Sequence, residues 1–371
     1  MRKIRVLIVD DSTVIRRLLS DALAVDPAIE IAGVAANGKI ALSKIPQVNP
    51  DIVTLDMEMP EMDGLETLVE LRKLYPKLPV IMFSTLTQRG AESTLEALAK
   101  GANDYVTKPA NVGSVNAAIQ SVQCELIPKI KQFCNWTVPS NLNSCKNASL
   151  INRASGIVTA NSRFGSKPCR VDIVVIGSST GGPNALSTLL PAFSASFPVP
   201  ILIVQHMPPI FTKHLADRLN QQSSLHVHEA VAGDLLEPGG AWIAPGNFHM
   251  TLRRQGTQLK VVLNQELPEN SCRPAVDVLF RSAAEVFGAN VLSVVLTGMG
   301  QDGMRGSRIV REAGGRVLVQ DEATSVVWGM PGSVANAGYA DKIVPLQRIA
   351  EEITIQTQAG RNARSFAKAG S

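Results

Sequence analysis

The chain has 371 residues, 45% hydrophobic and 18% charged, which is enough for two or three domains with apolar cores. It contains no run near the ~20 apolar residues of a membrane span and no secretory signal pattern, so the sequence predicts a cytoplasmic protein without membrane insertion. The net charge of +4 derives from residues 124–169, with six basic and one acidic side chains, so the flanking regions lack the basic bias of a nucleic-acid partner.

Residues 1–123 alternate apolar, strand-like runs with amphipathic, helix-like stretches in five successive units. The runs are IRVLIVD, EIAGVAA, DIVTLDM, LPVIMFST and NDYVTK. Such alternation predicts a parallel sheet that is covered by helices on both faces. A doubly wound α/β domain is therefore expected here.

Charged side chains follow three of these runs: Asp10 and Asp11, then Asp56, then Lys108. Because the carboxyl ends of parallel strands meet at one edge of a sheet, these groups are expected to converge. Converging carboxylates repel unless a cation joins them, and oxygen ligands suit Mg²⁺. A phosphoryl group on Asp56 would then place its oxygens near Lys108 and the Ser84 hydroxyl. Any single Asp could instead cap a helix, but the combination favours a site.

The motifs VDDS, LDMEMPEMDG, FST and VTKP resemble, in order, those of the response-regulator receiver domain. The resemblance covers nearly all of residues 1–123 and implies a five-stranded parallel receiver that is phosphorylated on an aspartate. The implied roles are phosphoacceptor for Asp56, Mg²⁺ binding for Asp10, Asp11, Asp56 and the backbone of Met57, and phosphoryl switch for Ser84, Tyr105 and Lys108.

Residues 124–169 are predicted to be an interdomain linker, since most of this segment is rich in Asn, Ser and Lys and has no apolar period. Alternation resumes afterwards and predicts a larger, Rossmann-like α/β domain over residues 170–357. A β-hairpin is expected within 238–264, where Gly and Pro turns replace any helix. Residues 358–371 are predicted to be a flexible tail. The five cysteines form no C-x-x-C pair and are expected to be reduced and mostly structural.

The stretch IGSSTGG, Ile176–Gly182, follows an apolar run and precedes a helix-like segment. Such a junction exposes backbone N–H groups at a positive helix end, which suits either a phosphate or the oxyanion beside a serine nucleophile. The glycine spacing differs from G-x-G-x-x-G, no Walker lysine follows, and the next run ends in Gln205 and His206 instead of an acid. A serine site is therefore favoured, although spacing alone does not choose between Ser178 and Ser179.

A serine nucleophile needs a base and a carboxylate that orients it. His206 ends the strongly apolar run VPILIVQH, and Asp302 follows a third apolar run, although it could simply cap the next helix. The glycines around Met299 would let backbone N–H groups approach a substrate oxygen. Ser, His and Asp at three strand ends of one sheet together predict a hydrolase site.

Five motifs of the second domain resemble, in order, those of the chemotaxis protein-glutamate methylesterase family, whose members join a receiver to such a domain. They are IGSSTGG, QHMPPIFTKHLADRLN, PGGAWIAPGNFHM, RPAVDVLF and LTGMGQDG. The resemblance covers about residues 1–355 and implies that Ser179 is the catalytic serine, with His206 and Asp302 completing the triad. Thr180 and Met299 are the candidate oxyanion or substrate residues.

The resemblance implies an enzyme that is activated by phosphorylation and demethylates glutamate methyl esters on methyl-accepting chemoreceptors. It also implies deamidation of receptor glutamines, a chemotaxis histidine kinase as phosphodonor, Mg²⁺ for phosphorylation, and no cofactor for ester hydrolysis. Two alternatives are a non-enzymatic regulator that binds a nucleotide or a protein, and a receiver joined to a DNA-binding domain. The first alternative would need an acidic residue at the end of the second strand or a basic groove, and the sequence shows neither. The second would need a basic helix-turn-helix pattern after the linker, which is also not found.

Overall fold

The computed structural model describes residues 2–109, 115–134, 170–256 and 258–368, which form two α/β units. Among the helices of these residues, none is at once long and apolar enough to cross a bilayer.

The N-terminal unit is a parallel sheet of five strands in the order β2-β1-β3-β4-β5. Apolar side chains fill both faces of the central strands, because helices cover the sheet on both sides. Its strands are β1 (Ile4–Val9), β2 (Ile29–Ala35), β3 (Ile52–Asp56), β4 (Val80–Ser84) and β5 (Asp104–Thr107). Its helices are α1 (Thr13–Ala24), α2 (Gly38–Val48), α3 (Gly64–Leu74), α4 (Gln88–Ala99) and α5 (Val115–Phe133).

The second unit contains a seven-stranded parallel sheet in the order β14-β13-β12-β6-β7-β9-β8. Its strands are β6 (Ile173–Ser178), β7 (Ile201–Gln205), β8 (His226–Glu229), β9 (Gly240–Ile243), β12 (Val291–Val295), β13 (Arg316–Gln320) and β14 (Lys342–Val344). Its helices are α6 (Gly182–Leu189), α7 (Phe211–Gln222), α8 (Val276–Phe287), α9 (Met304–Glu312), α10 (Met330–Asn336) and α11 (Leu346–Lys368). Both predicted α/β folds are therefore confirmed, although the sequence pattern did not indicate α10 or β14.

The expected β-hairpin is also present. Strands β10 (His249–Gln255) and β11 (Gln258–Asn264) pair antiparallel outside the large sheet. Their buried residues Met250 and Val261 pack into the same core as helix α8, which holds the hairpin beside the sheet.

Two predicted domain boundaries differ from where the helices end. Residues 124–133 continue helix α5, and Leu126 and Ile130 are buried in the receiver core, so this part of the predicted linker packs with the receiver. The remainder of the linker prediction, residues 135–169, lies outside the described residues. Helix α11 continues past residue 357 to Lys368, within the segment predicted to be a flexible tail.

Candidate active site and phosphoacceptor pocket

The three acidic residues of the receiver converge at the carboxyl edge of its sheet. Carboxylate oxygens of Asp10, Asp11 and Asp56 lie within 4.8 Å of one another. Asp10 and Asp56 are buried, while Asp11 is exposed at the rim. The Lys108 ammonium lies 2.7 Å from Asp56 Oδ1 and 3.2 Å from Asp10 Oδ2. The structure thus brings together the four charged residues that the strand ends predicted.

The Lys108 ammonium alone does not neutralise three carboxylates, and the pKa of Asp56 is raised. Burial and the nearby Asp10 charge raise its pKa to about 6, against the opposing effect of Lys108. Among the described residues, Asp56 Oδ2 is buried without a hydrogen-bond partner. A free buried carboxylate oxygen beside two further carboxylates fits a hard divalent cation such as Mg²⁺. The Met57 carbonyl already accepts a hydrogen bond from Gly64 N at 3.0 Å, which leaves it one lone pair for a cation.

Two of the predicted switch residues contact helix α4 and the second unit. Ser84 is buried at the end of β4 and accepts a hydrogen bond from Thr94 Oγ1 of α4 at 2.7 Å. Tyr105 is buried on β5, and its ring stacks on Phe211 of the second unit with centroids 5.1 Å apart. Burial and the charge of Asp104 raise the pKa of Tyr105 well above its ordinary value, so the phenol stays neutral.

In the second unit, the two adjacent serines at the end of β6 have different surroundings. Ser178 is fully buried, and its hydroxyl donates to Gln205 Oε1 at 2.7 Å. Ser179 is half-buried, and no hydrogen bond of its hydroxyl is found within the described residues. Gln205 Nε2 also donates to the Ser179 carbonyl at 2.9 Å, which fixes the loop. The Ser178 side chain therefore helps to hold the loop together, while the Ser179 hydroxyl is not committed to such a bond among the described residues.

His206 follows β7, the neighbouring strand, and faces Asp302. His206 Nε2 lies 2.8 Å from Asp302 Oδ2, and its Nδ1 lies 3.5 Å from Cys272 Sγ. Burial of the ring opposes protonation, but the hydrogen bonds with Asp302 and Cys272 outweigh it and raise the pKa of His206 to about 10. The described structure contains no hydrogen bond between His206 and the Ser179 hydroxyl, so only two members of the predicted triad are in contact.

Asp302 is almost completely enclosed by hydrogen-bond donors. Its Oδ2 accepts from Val276 N at 2.7 Å in addition to His206, and its Oδ1 accepts from the N–H groups of Asp277 and Gly303, each at 3.0 Å. Although burial raises the pKa of Asp302, these donors and His206 lower it to a net value below normal. The carboxylate is therefore ionised and fixed, as an orienting group must be.

The two candidate oxyanion residues lie on loops beside Ser179. Thr180 is buried, and its hydroxyl donates to Asp104 Oδ2 of the receiver at 2.8 Å. Met299 lies half-buried in the loop that follows β12. Gly298, next to it, has no room for a side chain, since a Cβ there would lie 2.9 Å from Ser179 Cβ. The loop of Met299 therefore approaches the serine closely only because residue 298 is glycine.

Comparison with known proteins assigns the two units. The CheB methylesterase family matches residues 174–353, and the response regulator receiver domain matches residues 6–120. A protein-glutamate methylesterase/protein-glutamine glutaminase of Trichodesmium erythraeum is 56% identical over 95% of this chain and 99% of its own length. The chain belongs to the protein-glutamate methylesterase/protein-glutamine glutaminase family.

Further relatives carry the same name and match this chain over nearly their whole length. One from Nocardioides sp. is 50% identical over 95% of both chains, and one from Pyrococcus abyssi is 41% identical over 95% of this chain and 93% of its own. The crystal structure of the Thermotoga maritima CheB methylesterase catalytic domain is 46% identical and covers 50% of this chain and 97% of that one, with a TM-score of 0.49.

In this methylesterase, the receiver packs directly against the loops of the candidate active site. Besides the Thr180–Asp104 bond, Asn184 Nδ2 of α6 donates to Leu98 O of α4 at 2.8 Å. Helix α4 also packs on α7, and Tyr105 stacks on Phe211 at the start of α7. The receiver therefore contacts the same loop that carries Ser179.

Four residues around the candidate active site were not singled out from the sequence: Asp104, Asn270, Cys272 and Asp277. Each contacts a residue outside its own motif, as with Asp104, which is 76 positions from Thr180. Asp277 lies within the matching motif RPAVDVLF, but the motif did not indicate a role for its carboxylate. Cys272, expected to be structural, contacts His206, and no spacing rule could have indicated that pair.

Proposed function

We propose that Ser179 is the nucleophile, His206 the general base and Asp302 the orienting carboxylate of glutamate methyl-ester hydrolysis by this chain. The observation that carries the proposal is the largely buried 2.8 Å contact between His206 and Asp302 at the strand end next to Ser179. The available hydroxyl of Ser179, beside the committed one of Ser178, supports the choice between the two serines.

The reaction follows from these roles. Ser179 Oγ attacks the γ-carbonyl carbon of the glutamyl ester while the neutral His206 ring takes its proton at Nδ1, the nitrogen that does not face Asp302, and a tetrahedral intermediate forms. The intermediate collapses as His206 returns the proton to the methoxy oxygen, so methanol leaves and an acyl-serine remains. Water then attacks the acyl carbon, gives a proton to His206, and releases glutamate and the serine hydroxyl. With a glutamine side chain, ammonia is the leaving group.

The developing oxyanion requires donors that already point at its position. We assign this role to the backbone N–H groups of Thr180 and Met299, which flank Ser179 on two loops. Neither N–H donates to a protein acceptor in the part of the chain that is described. The glycine at position 298 supports the assignment, because it lets the Met299 loop lie against the serine.

The receiver is proposed to control access to this site. In the described arrangement Asp104 holds the Thr180 hydroxyl, and α4 and Tyr105 cover the neighbouring helices α6 and α7. A phosphoryl group on Asp56 would draw the Ser84 hydroxyl away from Thr94, which ties β4 to α4. Since α4 lies in the interface, that change favours separation of the two domains and raises activity.

Phosphorylation is proposed to need Mg²⁺, held by Asp10, Asp11, Asp56 and the Met57 carbonyl. The free buried oxygen of Asp56 supports this donor set. When bound, Mg²⁺ neutralises the carboxylates and the charge that develops on a transferred phosphoryl group. Lys108 supplies a further positive charge to the phosphoryl oxygens, and a histidine kinase is the proposed phosphodonor.

The proposed substrates are methylated glutamates and particular glutamines of methyl-accepting chemoreceptors. The decisive experiment measures methanol release from methylated receptor membranes, with and without a small-molecule phosphodonor. Ser179→Ala is expected to lower the rate at least about 10³-fold, whereas the matched variant Ser178→Ala keeps most activity. A Ser179→Ala variant that still releases methanol at a normal rate would show that the nucleophile is wrongly assigned.

A further inference from the structure

A tight turn with unusual backbone geometry lies against the His206–Asp302 pair. Glu269 and Cys272 exchange backbone hydrogen bonds, with N to O distances of 3.1 and 2.9 Å. The two residues between them, Asn270 and Ser271, have φ angles of 51° and 62°. Positive φ at both central positions is costly for side chains larger than glycine, and such strain concentrates at functional sites. We call residues 269–272 the 269–272 turn.

The turn is anchored to helix α8, the helix behind the active site. Both carboxylate oxygens of Glu269 accept from the Arg281 guanidinium, at 2.8 and 2.7 Å. This two-point contact lowers the pKa of Glu269 and fixes the first residue of the turn in orientation as well as in position. The strained residues are therefore held in place from outside the turn.

The amide of Asn270 joins two buried carboxylates. Its Nδ2 donates to Asp302 Oδ1 at 2.8 Å and to Asp277 Oδ2 at 3.0 Å, so both of its hydrogens are used. A neutral NH₂ group can serve two like-charged acceptors without adding charge. Burial raises the pKa of Asp277 to about 6, and the negative charge of Asp302 acts in the same direction.

Cys272, at the other end of the turn, contacts His206. Cys272 Sγ lies 3.5 Å from His206 Nδ1, the nitrogen that does not face Asp302. Ser271, between the two contact residues, has an exposed side chain. One short turn thus contacts both the Asp302 carboxylate and the His206 ring, while its Ser271 side chain is exposed.

We propose that Asn270 and Cys272, two residues of the 269–272 turn, position the His206–Asp302 pair. Asn270 fixes Asp302 so that Oδ2 stays directed at the ring, and Cys272 limits rotation of the ring. Both are positioning residues, and the role assumes the proposed function of His206 and Asp302. It adds two residues to the machinery of the reaction, acting through the base and its partner.

The first test is Asn270→Asp, which keeps the shape but replaces a donor with a third carboxylate. We expect kcat for methanol release to fall about 100-fold at pH 8 with KM nearly unchanged. The defect should shrink toward pH 6, because the introduced carboxyl group regains a donor once it is protonated. Asn270→Ala should lose about tenfold at every pH, and Ser271→Ala, the matched control, should match the parent. The charged groups around the turn are Asp277, Asp302, His206, Glu269, Arg281 and Arg305.

The second test does not depend on activity and therefore separates this inference from the proposed triad. It follows the His206 ring by NMR titration of the full chain in the parent, Cys272→Ala and Cys272→Ser. Losing a hydrogen bond that favours the protonated ring should lower the His206 pKa in Cys272→Ala, and the serine hydroxyl should restore part of the difference. If Asn270→Asp is no worse than Ser271→Ala, or its defect is the same at every pH, or the titration is unchanged in Cys272→Ala, the inference is wrong. Loss of activity in Ser179→Ala together with any of those results would leave the triad standing.

Discussion

Each domain carries a buried carboxylate at the carboxyl edge of a parallel sheet, Asp56 in the receiver and Asp302 in the methylesterase domain, yet their pKa values shift in opposite directions. In the receiver, Asp10 and Asp56 share one lysine, Asp56 keeps a free oxygen among the described residues, and its pKa rises to about 6. In the methylesterase domain, donors surround Asp302, and its pKa is lowered.

Asp56 and Asp302 occupy equivalent places in their folds, so the difference in pKa comes from the number of hydrogen-bond donors around each carboxylate. A carboxylate short of donors gains from a cation or from covalent modification, which suits a phosphoacceptor. A carboxylate with all its lone pairs occupied has nothing to gain from an ion and instead serves as a fixed negative partner for histidine. The same fold edge thus suits the proposed phosphorylation switch in one domain and the proposed His206–Asp302 pair in the other.

The largest expected effect comes from removing the negative charge of Asp302. Asp302→Asn should lower kcat for methanol release by about 10⁴-fold, because the amide cannot hold the imidazole in the same tautomer or stabilise its charged form. KM should change little, since Asp302 is not exposed to a substrate. Steady-state kinetics on methylated receptor membranes measure both constants. A loss below tenfold would contradict the orienting role.

Thermal unfolding without Mg²⁺ compares the contributions of the Asp56 and Asp302 carboxylates to stability. Because the folded-state pKa of Asp56 lies above its ordinary value of 3.8, its contribution to stability is present below pH 3.8 and lost as pH rises through about 6. Asp56→Asn should therefore stabilise the protein at pH 7.5 by at most about 3 kcal/mol, whereas Asp302→Asn should destabilise it. Mg²⁺ should raise the Tm of the parent and not that of Asp56→Asn. If both substitutions changed the stability in the same direction, the proposed contrast between Asp56 and Asp302 would be wrong.

A smaller effect is expected at the contact between the domains. Asp104 accepts from the Thr180 hydroxyl and pairs with Lys129 at 3.1 Å. Asp104→Asn keeps the shape but weakens the hydrogen bond, and it should raise activity without a phosphodonor about fivefold. Asn184→Ala, which removes a second hydrogen bond across the interface, should act in the same direction. Unchanged basal activity in both variants would argue against control through this interface.

Much of the molecule was predictable from local patterns. Alternating apolar runs predicted two parallel α/β sheets, because strand and helix periods are properties of neighbouring residues. The acidic pocket was predictable for a related reason: parallel strands bring their carboxyl ends together whatever the loops do, so Asp10, Asp56 and Lys108 had to meet. His206 and Asp302 were predicted by the same rule, and they are in contact.

By itself, the sequence determined the two sheets, the strand ends that carry charge, and the family to which the motifs belong. Only the tertiary structure decided which serine hydroxyl is committed to Gln205, which carboxylate is filled with donors, and that a strained turn contacts His206 and Asp302. These depend on contacts between residues tens of positions apart, whose distances are set by packing of whole elements. No periodicity records such distances, because periodicity describes only a residue's neighbours along its own strand or helix.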